Sequence, residues 1–160
     1  MKRILLLSAL FLLAIAGNAI AVICPGPAAG ITRLNAGQIG AAFTGNLICA
    51  FRPGATDGNG RWSEEHTKAG DLFEFAKGQG DPIDPRRNAG TWQTISNPGK
   101  NTDVVRYNYG TGGIFDWSVW EDKSGSPTKY HFCDPVGQLV ATTKSTNAIP
   151  GPTTSNPCGW

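Results

Sequence analysis

The sequence predicts a mainly β protein, an antiparallel up-and-down meander that closes into a barrel or half-barrel and is preceded by one short helix. Two observations carry this. Glycine occurs 21 times and proline 11 times in 160 residues, too often for a helical bundle and well suited to a chain that turns frequently. From Gly45 onward, short runs of alternating apolar and polar residues are separated by Gly, Pro, Asn and Ser clusters at hairpin spacing. Sequential antiparallel hairpins remove their edges most simply by closing on themselves. A two-sheet β-sandwich is the alternative.

The elements follow in order. Lys2 and Arg3 precede an apolar stretch over residues 4–16, and Gly17-Asn18-Ala19-Ile20-Ala21 ends in small residues. That is the pattern of a cleaved signal peptide over 1–21, leaving 22–160 as a single domain. Residues 24–32 form a Pro/Gly/Ala linker. Asn35 is an N-cap, Ile39 and Phe43 are i, i+4 neighbours on one face, and Gly45 is a stop, so a short helix is expected near 35–43.

Seven strands are expected after it: 46–52, 72–77, 91–96, 104–109, 114–121, 128–133 and 139–143. The first places Leu47, Cys49 and Phe51 on one face. Phe73 and Phe75 share a face of the second, which turns Glu74 outward. Residues 61–70 are too polar to assign, and Asp81-Pro82 and Asp84-Pro85 place a loop over 78–88. The remaining turns are Asn97-Pro98-Gly99, residues 110–113, 124–127 and 135–137. Residues 149–158 are rich in Pro, Ser and Thr.

Charge and cysteine content narrow the partners. The formal excess of 14 Lys+Arg over 12 Asp+Glu is contributed by Lys2 and Arg3, so the exported domain is near neutral. A nucleic-acid binder needs a cationic surplus to gain from counterion release, and none is present. No transmembrane segment is expected beyond the leader. Cys24, Cys49, Cys133 and Cys158 are even in number and lack metal-ligand spacing, which reads as two disulfides in an oxidising compartment. The expected pairing is Cys24–Cys158 as a terminal clasp and Cys49–Cys133 as a cross-sheet staple. The destination is periplasmic or secreted.

Four segments carry a resemblance. Leu34…Ile39…Phe43-Thr44-Gly45-Asn46 leads into a strand, followed by Gly90-Thr91-Trp92, Tyr107-Asn108-Tyr109 and Tyr130-His131-Phe132-Cys133. This order resembles small exported bacterial domains described as lipocalin-like or calycin-like, of unassigned function. The Gly-Thr-Trp triplet is similar to the Gly-x-Trp of lipocalins, which stands at their first strand and here falls at the third. The resemblance implies a barrel and names no activity.

The candidate chemistry is sparse. Trp62-Ser63-Glu64-Glu65-His66, with His131, offers a possible metal set (His66, His131, Glu65 or Glu64) for a metal-dependent hydrolase, although the His-x-x-x-His spacing is missing. Paired carboxylates would require two of Glu64, Glu65, Asp71, Glu74, Asp81, Asp84 or Asp116 to converge, and alternation points Glu74 and Asp116 to solvent. No Gly-x-Ser-x-Gly elbow is present, and the Gly-x-Gly runs are turns without a following helix.

Aromatic side chains remain. Trp92, Tyr107, Tyr109, Trp117 and Trp120 are the candidate ligand-binding residues, and Trp117 and Trp120, three apart in a strand, face opposite ways. The expectation is a non-enzymatic binding module for a small or flat apolar ligand or a sugar, without a cofactor. The alternatives are a protein-interaction module such as a secreted protease inhibitor, and the hydrolase.

Overall fold

A computed structural model describes residues 22–55, 60–75, 86–97, 102–148 and 158. The expected signal peptide and most of the Pro-rich loop lie outside the described residues. So does the Pro/Ser/Thr-rich tail, apart from Cys158.

Among the described residues the chain forms nine strands and one helix: β1 (Ile31–Arg33), α1 (Ala36–Phe43), β2 (Asn46–Phe51), β3 (Arg61–His66), β4 (Asp71–Phe75), β5 (Arg86–Ile95), β6 (Val104–Asn108), β7 (Ile114–Asp122), β8 (Lys129–Cys133) and β9 (Leu139–Ala148). Each of β2 to β8 pairs antiparallel with its successor, and β9 returns to pair with β2. The hydrogen bonds therefore run in a complete ring, as expected for a meander that closes. β1 adds to β7, pairing Ile31 with Asp122 and Arg33 with Trp120.

Two strands of the ring depart from expectation. β3 occupies the segment too polar to assign. Its inward residues are Trp62, Glu64 and His66, which pair with Ala50, Ile48 and Asn46, so a partly polar interior hides the usual apolar alternation. β5 begins at Arg86, inside the span expected to be loop. Arg86 and Arg87 pair with Phe75 and Glu74 across an irregular register, and ion pairs with Glu65 and Glu74 hold these polar residues in the strand. Gly90 allows β5 to pass close to its neighbour. Its φ is +150°, and a Cβ there would lie 2.0 Å from the Asn108 carbonyl oxygen.

The helix closes one end of the ring. Asn35 accepts from the Gln38 N–H at 2.9 Å while its own N–H donates to Gln38 Oε1 at 2.9 Å, a reciprocal cap. The Asp103 carboxylate accepts from the Ala36 N–H at 2.8 Å, which ties the helix start to the approach of β6. Ile39 and Phe43 are fully buried, as their spacing predicts. Phe43 packs its ring against Phe132, Tyr130 and His66 at 5.3–5.6 Å between centroids. Gly45, with φ +74°, ends the helix and donates its N–H to the His66 carbonyl.

The principal core lies inside the ring and includes Ile48, Ala50, Leu72, Trp92, Val105, Tyr107, Val119, Phe132 and Ala141. A second apolar cluster sits on the outer face, where Leu47, Cys49, Phe75 and Cys158 meet. Leu47 and Cys49 share a face as expected, but it is the outer one.

The disulfide pairing differs from expectation: Cys24 bonds Cys133, and Cys49 bonds Cys158, with Cα separations of 6.0 and 5.6 Å. The reason is topological. β9 lies between β2 and β8, so Cys49 and Cys133 sit two strands apart, about 10 Å, beyond the reach of a disulfide. The N-terminal segment instead runs beside the β8–β9 turn, where Cys24 donates its N–H to the Gly137 carbonyl at 2.9 Å. Two disulfides suit a non-reducing, exported environment. No helix among the described residues is long and apolar enough to cross a membrane.

Candidate functional site

A cup opens in the ring, walled by residues of β3, β4, β7 and β9 and by Tyr109, which follows β6, with a cavity volume of about 690 Å³. Ligand cavities commonly fall within about 300–1,000 Å³. Its walls are Trp62, Tyr109, Phe115 and Trp117, and Glu64 and Glu74 add carboxylates. Arg52 and Arg61 also line it.

The aromatic wall follows from strand register. Val105 pairs with Trp117 and Tyr107 with Phe115, so alternate residues of β6 and β7 present rings to the same interior. Tyr107 stacks on Tyr109 at 6.1 Å and meets Trp117 at 5.3 Å. Phe115 touches both Tyr109 and Trp117 at 5.9 Å. The rings form a continuous series from the buried core at Tyr107 to Phe115, which is 41 % exposed.

Glu64 is the unusual member. It is 5 % exposed, and its oxygens accept hydrogen bonds from the Tyr109 hydroxyl at 2.6 Å and the Trp62 indole N–H at 3.1 Å. Burial raises its pKa to about 7; the two hydrogen bonds oppose the rise, and Glu74, directly across on β4, adds to it. The same burial, with the nearby Glu64 charge, pushes the Tyr109 hydroxyl upward. Glu74 does not point to solvent as the Phe73/Phe75 alternation suggested. Phe75 belongs to the outer cluster and Phe73 carries the Arg86 guanidinium over its ring at 3.5 Å, so the intervening carboxylate faces the cup. Arg87 reaches Glu74 from β5.

Beneath the cup, His66 is fully buried, with Nε2 3.0 Å from the Tyr107 hydroxyl and Nδ1 lacking a hydrogen-bond partner. Desolvation lowers its pKa to about 3, against a smaller pull from the Glu64 carbonyl, so the ring is neutral at ordinary pH.

The five aromatics singled out from the sequence divide three ways. Tyr109 and Trp117 line the cup. Trp92 and Tyr107 are core, the former donating its indole N–H to the Thr67 carbonyl at 3.1 Å. Trp120 faces the opposite way from Trp117, as expected, into an outer hollow with Arg33, Asp116 and the Cys24 segment. Trp62, Phe115, Glu64 and Glu74 were not singled out as ligand residues. The Trp-x-Glu-x-His alternation of β3 was the signal that could have found two of them.

The possible metal set does not assemble. His66 points into the ring, whereas His131 lies on the outer surface, with Nδ1 2.9 Å from Thr142 Oγ1 and Nε2 3.4 Å from Asp122. Glu65, adjacent to the inward Glu64, turns outward to Arg86 at 2.5 Å. Among the described residues no group of three or more His, Cys, Asp or Glu side chains could hold a metal ion. Asp116 faces outward as expected, held by two 2.6 Å contacts from Arg106. No protein-family model matches the chain, and neither a curated protein nor a solved structure matches it.

Proposed function

We propose that this chain is an exported, lipocalin-like binding module, directed by residues 1–21, that takes a small flat ligand into the cup. One observation carries the reading: four aromatic side chains, from β3, β7 and the residue that follows β6, wall a cavity of about 690 Å³ that also contains a buried carboxyl group. Rings offer large contact area at little entropic cost, while a few polar groups fix orientation. Closure of the other end by α1 gives the cup a packed floor.

The protein-interaction alternative is less favoured. An inhibitor that inserts its N-terminal segment into a target requires that segment to be free, and Cys24 is bonded to Cys133. The hydrolase alternative required a metal set that lies on two faces of the wall.

The test is native mass spectrometry of the protein purified from its own host, before and after denaturation, alongside Trp117→Ala. A small-molecule mass lost on denaturation, and absent or at least tenfold reduced in the variant, is the expected result. Equal retention by the variant would remove the cup from consideration.

A further inference from the structure

The contents of the cup specify more than flatness. Two carboxylates on neighbouring strands, Glu64 and Glu74, face one cavity walled by rings. Among the described residues, the hydrogen-bond partners of Glu64 are Tyr109 and Trp62, both neutral, and each carboxylate oxygen accepts one of them. Each oxygen therefore keeps a lone pair. Glu74, a charge of the same sign, adds to the raised pKa of Glu64. Aromatic faces are themselves negative at their centres and attract cations within about 6 Å.

Resting on the reading of the cup as a ligand site, we propose that its ligand is an organic cation, a flat ring system stacked on Trp117 and Phe115 with a protonated amine seated on Glu64. An ammonium supplies donors to the remaining lone pairs of Glu64 and a positive charge that neither of its hydrogen-bond partners, Tyr109 and Trp62, carries. Tyr109 and Trp62 orient the carboxylate before the ligand arrives, so little order is lost on binding. An anion would meet both carboxylates at close range.

Binding is then coupled to a proton. Glu64 must be ionised to hold an ammonium, and in the empty cup it is half protonated near pH 7. The other groups facing it are Glu74 from β4, whose partner is Arg87, and the hydroxyls of Tyr107 on β6 and of Tyr109 just after it, both shifted upward and neutral. Along β3, His66 titrates near pH 3. Exposed Arg52 and half-buried Arg61 also line the cup wall. Between pH 6 and 8 the affinity for a cation should therefore rise about tenfold, following one deprotonation.

Calorimetric titration with three indoles of matched shape tests this: tryptamine (cationic), tryptophol (neutral) and indole-3-acetate (anionic). The expected result is tryptamine binding at least tenfold tighter than tryptophol at pH 8, with that advantage about tenfold smaller at pH 6. In Glu64→Gln the preference for tryptamine disappears while tryptophol binding persists. The pH series on the unaltered protein stands independently should that variant fold poorly. Equal, pH-independent binding of tryptamine and tryptophol, or a preference for indole-3-acetate, would overturn the cation assignment and leave the cup as a ligand site. Failure of all three to bind would overturn both.

Discussion

The Tyr107 hydroxyl and His66 Nε2 stand 3.0 Å apart at the centre of the ring, joining β6 to β3 across 41 residues of sequence. Both side chains are at most 1 % exposed. His66 Nδ1 already lacks a partner, so the pair sits in a part of the core with nothing in reserve to satisfy it.

Tyr107→Phe should therefore leave both imidazole nitrogens unpaired and cost about 1–3 kcal/mol, the usual penalty for an orphaned buried polar group. Adding His66→Phe removes the orphans together, and the double variant should recover at least half of the loss. Urea midpoints of the two variants measure this. A double variant less stable than Tyr107→Phe would show that shape matters more here than the hydrogen bond.

Glu64 and His66 impose opposite pH dependences on stability. The folded-state pKa of Glu64 is raised from 4.5 to about 7, so its contribution is fully present below pH 4.5 and is lost as pH rises through 7. That loss amounts to about 3 kcal/mol. The His66 pKa is lowered from 6.5 to about 3, so its contribution is present above 6.5 and is lost as pH falls toward 3. The two slopes oppose each other between 4.5 and 6.5. Replacing Glu64 by Gln removes only the first, so the stability of Glu64→Gln relative to the unaltered protein should grow by about 3 kcal/mol from pH 4.5 to 8. A difference that stays flat across denaturation curves at pH 4.5, 6, 7 and 8 would refute the buried, poorly solvated state of this carboxyl.

The disulfides yield a binary measurement. A non-reducing digest should release the Cys24 peptide joined to that of Cys133 and the Cys49 peptide joined to that of Cys158. Each bridge spans 109 residues, so removing either pair by Ser substitution should cost on the order of 4–5 kcal/mol in the chain-entropy account. Recovery of a Cys49–Cys133 peptide would contradict the position of β9 between β2 and β8.

Several features were set by local chemistry, and the sequence alone determined them. Asn35, Gln38, Ile39, Phe43 and Gly45 specify a capped helix because every signal lies within a few residues of its partner. Hairpin-length turns between alternating runs determined the antiparallel meander, and even cysteine number determined that all four would be bridged. Opposite facing of Trp117 and Trp120 follows from strand periodicity.

Only the tertiary structure decided which face of each strand is inside. Alternation separates two sets of residues without saying which set faces the core. Here both sides of the wall are partly apolar: Ile48 and Ala50 pack inside, and Leu47, Cys49 and Phe75 pack outside. That ambiguity turned Glu74 the wrong way and hid β3, whose inward Trp62, Glu64 and His66 are too polar to read as a core face. The disulfide partners were equally hidden, because strand adjacency across the closing β2–β9 seam depends on residues about 100 positions apart. The cup exists where those inward choices from β3, β4 and β7 meet Tyr109 at the end of β6, and no local stretch of the chain encodes that meeting.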